Sequence, residues 1–118
     1  MSLNREDFGV TYPVYVGTSK ALEATVIDPD TGNAKDLSNE NIYASGIARI
    51  FKPDGTQIGS DMAITFGDPR TSGVVTFTVL NTSHTLAANA GNWIGKLVFK
   101  NVSNVVIDQQ KFNLNILE

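Results

Sequence analysis

The residues that could do chemistry are few, and Ser83-His84 comes first because it sets the only histidine beside a hydroxyl nucleophile. Nucleophilic catalysis needs a base within reach of the nucleophile and a third group that orients the base. Neighbours on a helical turn point apart, and the remaining parts of a catalytic constellation are missing. His84 is therefore expected to be a solvated loop residue. One histidine without cysteines or a carboxylate cluster cannot build a zinc site either. Asp28-Pro29-Asp30-Thr31-Gly32 resembles the opening of a calcium loop. Such a loop needs an oxygen donor where Gly32 stands, a glycine at its sixth position and a bidentate glutamate at its twelfth. Asn33 and Asn39 occupy the last two positions, so the segment is expected to be a hairpin turn, for which Asp, Pro and Gly are the residues required.

The other carboxylates do not pair along the chain. Asp61, Asp68 and Asp108 fall in or beside expected loops or bulges. A glycosidase pair could form across strands, but nothing in the spacing favours one, and 118 residues leave little room for a cleft. Tyr12, Tyr15, Tyr43 and Trp93 would make a sugar platform if exposed together. Trp93 shares a face with Leu97 and Phe99, so it is expected in the core, facing Phe77 and Phe112. Asn81-Thr82-Ser83 and Asn101-Val102-Ser103 match the glycosylation pattern, which is expected to be coincidence without a secretory leader. No catalytic, cofactor-binding or metal-ligating residue is assigned, and the expectation is a protein that is not an enzyme and holds no cofactor.

Composition narrows the class. With 42% apolar and 18% charged residues, the chain should fold as one domain with a real core. A net charge of −3 with scattered cations argues against nucleic acid as a partner. The absence of cysteine removes disulfides and thiolate sites. No apolar run is long enough to span a membrane, and the N-terminus has no signal-peptide pattern, so no membrane association is expected.

Alternation supplies the elements. Residues 1–9 read as a flexible arm and 10–118 as the domain. Val10 to Val16 is β-rich, but Pro13 puts it at an edge or at a switch between sheets. Leu22, Ala24 and Val26 alternate cleanly before the Asp28 turn, and Leu37 is expected to anchor the following connection. In Ile47 to Lys52, Arg49 suggests that Ala48 and Ile50 point inward, while Phe51 leaves the choice open. Pro53-Asp54-Gly55 turns the chain into Thr56-Gln57-Ile58, and Met62 to Phe66 forms another strand. Gly73 to Leu80 and Gly91 to Phe99 are the central strands. Between them one helical turn is expected near Asn81 to Ala88, capped by Thr82 or Ser83. In the last strand Asp108 and Gln110 share a face with Phe112, Leu114 and Ile116, so a bulge or the core boundary is expected near Gln109. The pattern is all-β: an immunoglobulin-like antiparallel β-sandwich of seven to eight strands with one short helical turn.

From Ala44 to Ile116 the order of motifs is specific enough to compare. It runs Ile47-Ala48-Arg49-Ile50-Phe51-Lys52-Pro53-Asp54-Gly55, Ala63-Ile64-Thr65-Phe66, and Gly73-Val74-Val75-Thr76-Phe77-Thr78-Val79. The Thr/Ala-rich turn, Gly91-Asn92-Trp93-Ile94-Gly95-Lys96-Leu97-Val98-Phe99 and Gln110-Lys111-Phe112-Asn113-Leu114 follow. This order resembles the N-terminal immunoglobulin-like module of phage baseplate upper proteins and related tail and virion domains. The resemblance implies a non-enzymatic structural module of a bacteriophage particle, in the tail or baseplate first and the neck or head decoration next. It would be assembled into virions in the host cytoplasm. Its partners would be other virion proteins, reached through the N-terminal arm and an edge strand, with homo-oligomers in the particle. The alternative is a cell-surface carbohydrate-binding or adhesin sandwich.

Overall fold

The computed structural model describes residues 11–118; the expected arm over residues 1–9 lies outside the described residues, as does Val10. Eight strands are present among the described residues: β1 (Thr11–Tyr15), β2 (Lys20–Thr25), β3 (Ser45–Phe51), β4 (Gln57–Ala63), β5 (Thr65–Phe66), β6 (Val74–Val79), β7 (Gly91–Lys100) and β8 (Val106–Leu117). They form a five-stranded sheet in the order β1-β8-β7-β3-β4 and a three-stranded sheet in the order β2-β6-β5. The neighbours β8-β7-β3 and β2-β6-β5 reproduce the G-F-C and B-E-D neighbours of an immunoglobulin sandwich. The expected all-β sandwich is therefore present, with two differences. β1 runs parallel to β8, whereas every other pairing of named strands is antiparallel. Among the described residues two short 3-10 turns occur, at Arg70–Ser72 and at Ala87–Asn89, the second replacing the helical turn expected at 81–88. The segment after β6 instead folds around one acceptor, with the N–H groups of Ser83, His84 and Thr85 all directed at Leu80 O. Neither Thr82 nor Ser83 caps a helix there; the turn at Ala87 starts from Leu86 with no side-chain cap.

Alternation places the core as read from the sequence. Leu22, Ala24, Val75, Phe77 and Val79 from the smaller sheet face Ala48, Ile50, Leu97, Phe99, Phe112, Leu114 and Ile116 from the larger, and all are buried. Ala48 and Ile50 point inward, which leaves Ile47, Arg49 and Phe51 on the outer face. Leu37 is fully buried, and its N–H bonds Arg70 O. The chain changes sheets at Ile64, whose N–H still bonds Gly46 O before Thr65 and Phe66 pair with β6. In β8 the register slips between Phe99 and Lys100, which leaves Ile107 as the extra residue, two positions before Gln109.

No disulfide can pin the sheets, because the chain has no cysteine. Aromatic packing joins them instead. The Phe112 ring on β8 lies 5.0 Å from Phe77 on β6 and 5.9 Å from Tyr12 on β1. Phe112 reaches this position because its cross-strand neighbour is Gly95. A Cβ at Gly95 would stand 2.0 Å from Cζ of that ring. Trp93 differs from its expected place. It is half-buried and packs against the core cluster from its rim, its indole N–H donates to Asn89 O at 2.7 Å, and it makes no ring contact with Phe77 or Phe112. The ring covers Gly91 instead, at an end of the sheet.

Gly95→Ala forces Phe112 off its seat, so urea denaturation should show a loss of about 3 kcal/mol, the upper range for overpacking. Phe112→Leu in the same chain should recover part of that loss, giving a non-additive cycle. A neutral Gly95→Ala would show that the ring is free to move.

Candidate functional site

His84 is fully buried, which corrects the expectation of a solvated loop residue. Its Nδ1 accepts the Leu80 N–H at 2.9 Å, and Nε2 lies 2.7 Å from Ser60 O. A backbone N–H can only donate and a carbonyl only accept, so the two contacts fix the tautomer with the proton on Nε2. Ser83 Oγ, the neighbouring hydroxyl, turns to Ser60, accepting its N–H at 2.9 Å. With both ring nitrogens committed to backbone, His84 cannot act as a base toward Ser83. The imidazole closes one end of the sandwich. Gly59, at φ +70°, lets β4 pass against it; a Cβ there would stand 2.6 Å from the ring. Thr85, also fully buried, donates its hydroxyl to Thr18 O, and Gly17 N–H bonds Thr85 O. Sequence could not reveal this role, because the partners of His84 are backbone groups, one in its own turn and one on a strand 24 residues away.

The polar residues on the core face of β8 seal the open side and the opposite end. Gln110 Oε1 accepts the Ile27 N–H at 2.8 Å, and its amide donates to Thr25 O at 2.9 Å, so one side chain ties the two sheets. Asp108 Oδ2 holds Lys35 Nζ at 2.6 Å and the Tyr43 hydroxyl at 3.2 Å. Partial burial opposes the charge on Lys35, but the hydrogen bonds and charge of Asp108 outweigh it and raise the ammonium's pKa. Burial pushes the Tyr43 phenol up. Arg70 lies 4.0 Å above the Phe66 ring and donates to Tyr43 O at 2.6 Å.

The remaining candidates are absorbed into turns and packing. Asp28 accepts the Asp30 N–H at 2.9 Å, and Gly32, at φ +77°, closes the expected turn. Asn101 Oδ1 accepts the N–H groups of Ser103 and Val105 in the β7–β8 hairpin. No group of three or more His, Cys, Asp or Glu suited to a metal occurs among the described residues. The four aromatics of a sugar platform are dispersed: Tyr43 is buried, Tyr12 and Trp93 are half-buried, and Tyr15 is 62% exposed.

Each sheet edge carries a feature that opposes strand addition. Val16 N–H bonds Leu117 O, so by alternation Pro13 lies on the open side of β1, where it offers no donor. On β4, Gly59 to Asp61 bulge opposite Arg49 and break the ladder. On β2 the outward carbonyls of Glu23 and Thr25 are taken by Tyr12 Oη at 2.7 Å and by Gln110. β5 is two residues long.

The outer face of the five-stranded sheet is different. Register sets Arg49, Lys96 and Lys111 side by side on β3, β7 and β8. The rows on either side are apolar or amide: Ile47, Val98 and Gln109 on one side, and Phe51, Ile94 and Asn113 on the other. Ile94 is 43% exposed. Asp61 takes Arg49 through two contacts of 2.9 and 3.3 Å, while Lys96 Nζ lies 5.9 Å from the Phe51 ring centre. Cations directly opposite one another destabilise a sheet, so this row costs the isolated domain stability. The sequence shows these cations as scattered; only the register aligns them.

His84→Ala leaves a cavity and two unsatisfied backbone groups, so chemical denaturation should show a loss of about 3–5 kcal/mol. The hydrogen bond from Arg49 holds the Asp61 carboxyl below its ordinary 3.8. A lowered folded value gives stability that is complete above the unfolded pKa and lost as pH falls through the folded one. Acid titration of the melting temperature should therefore be shallower below about pH 4 in Arg49→Leu than in the parent. No family model and no curated protein sequence matches this chain.

Proposed function

We propose that this chain is a non-enzymatic structural and protein-interaction module of a bacteriophage particle, in the tail or baseplate first and the neck or head decoration next. Support for the particle comes from the motif order between Ala44 and Ile116 described above. Support for protein interaction comes from one observation: the outer sheet face carries an aligned cation row beside the exposed Ile94 and its cross-strand neighbour Phe51. Residues that break local rules at a cost in stability are characteristic of functional surfaces. The side chains whose types could serve catalysis, His84, Ser83, Asp28, Asp61 and Asp108, are held by contacts within the fold. With the edges blunted, docking falls to the face rather than to an added strand.

Two measurements test this. Mass spectrometry of phage particles purified from a host carrying the encoding genome should find the chain as a particle component. A photo-crosslinker at Ile94 should then join it to another particle protein. Absence of the chain from purified particles overturns the virion reading, and crosslinks found only from the β2–β6 side overturn the choice of face.

A further inference from the structure

Resting on the interaction reading above, we infer that the outer face of the five-stranded sheet seats a short, extended, acidic protein segment with an apolar residue among its carboxylates. Charge carries the argument. Four of the chain's nine lysine and arginine residues, Arg49, Lys96, Lys100 and Lys111, belong to this face, in a protein whose net charge is −3. Among the described residues, the acid bonded to this row is Asp61, which is committed to Arg49 and also takes a hydrogen bond from Gln57. Lys96 and Lys111 are direct cross-strand neighbours, so an anionic group between them removes a repulsion and adds two attractions. The apolar rows decide that the partner is not a bare polyanion. Phe51 and the 43% exposed Ile94 lie directly opposite one another on one side of the cations and supply the accessible apolar surface; on the other side Ile47 is half-buried and its neighbour Val98 is buried. An apolar side chain set within reach of carboxylates matches that spacing.

Size and charge exclude the larger candidates. Strand spacing of about 4.8 Å and a rise of about 3.3 Å per residue give the face roughly 20 by 20 Å. That is about half of the ~800 Å² per partner in a standard interface, and it suits a segment of about six residues. A second copy presenting the same face would set one cation row against another, which opposes a symmetric dimer.

The probe is the peptide Ac-Glu-Asp-Phe-Glu-Leu-Asp-amide, titrated into the full chain by calorimetry or NMR, with Ac-Gln-Asn-Phe-Gln-Leu-Asn-amide as the neutral control. Saturable binding is expected for the acidic peptide, weakening as salt rises from roughly 50 to 500 mM. Lys96→Glu and Lys111→Glu should each weaken it at least about tenfold, close to 1.4 kcal/mol. Lys20→Glu makes the same charge change on the other sheet and should alter it less than about twofold. A purely structural role for Lys111 predicts a lower melting temperature in Lys111→Glu; relief of the repulsion predicts an equal or higher one. The inference is overturned by no saturation at about 5 mM peptide, by equal binding of the neutral peptide, or by equal damage from Lys20→Glu. It is also overturned if single-stranded oligo-dT binds more tightly with the same residue dependence. The two readings fail separately. Ile94 crosslinks that land in neutral or basic segments of particle proteins sink the acidic partner alone. Peptide binding by a chain that purified particles lack sinks the virion role alone.

Discussion

Seating the Phe112 ring flat on the backbone of Gly95 is the constraint from which the rest of the sandwich follows. The ring needs the missing Cβ, since even a methyl group would stand 2.0 Å from it. Once seated, it meets Phe77 of the other sheet at 5.0 Å, and Tyr12 closes over both. Tyr12 then reaches Glu23 O on the free side of β2 and fastens the parallel strand β1 across the gap. A domain without cysteine obtains from this cluster the cross-sheet contact that a disulfide gives antibody domains. Aromatic pairs at such distances contribute about 0.5–1.5 kcal/mol each beyond the area they bury.

Much of this was legible in the sequence, and the boundary of legibility has a physical cause. Alternation gave the inward sets on β2, β6 and β7, because a half-buried strand prints its environment with period two; on β3 it left two faces to choose between, and Ala48 and Ile50 are the ones buried. It gave the core side of β8 too, although Asp108 and Gln110 looked misplaced there. Both are on that face, because the sandwich opens near its end and each finds partners across the gap: Lys35 and Tyr43, or Thr25 and Ile27. Trp93 shows the opposite limit. Its parity is right and it packs against the core, yet it is only half-buried and turns its N–H to Asn89 O. Parity reports which face a residue is on and is silent about how far along the sandwich it lies. His84 escaped because its environment consists of backbone atoms from β4 and from its own turn, and those leave no residue-type signature. The cation row escaped for a related reason. Arg49, Lys96 and Lys111 are far apart in sequence, and only the pairing of three strands makes them one feature.

A division of labour emerges between polar groups that hold the fold and those that do not. Those at the ends and in the turns are spent on the fold, as with Asp54, whose carboxylate accepts the Thr56 N–H and is acidified by it. Those on the outer face of the larger sheet are arranged against local preference. Natural sequences are locally consistent with their folds over most of their length, so a row where like charges are set abreast is where a role other than folding is to be sought.

The blunted edges carry a consequence for how copies of this domain tolerate crowding. Among the described residues, Pro13, the Gly59–Asp61 bulge, the capped carbonyls of β2 and the two-residue β5 leave no long ladder on which another chain could template itself. Neighbouring copies can therefore stand at high local density without their sheets fusing into a continuous ribbon. A misfolded variant that lost any one of these guards would reopen that route to fibrils first at the edge it unguarded.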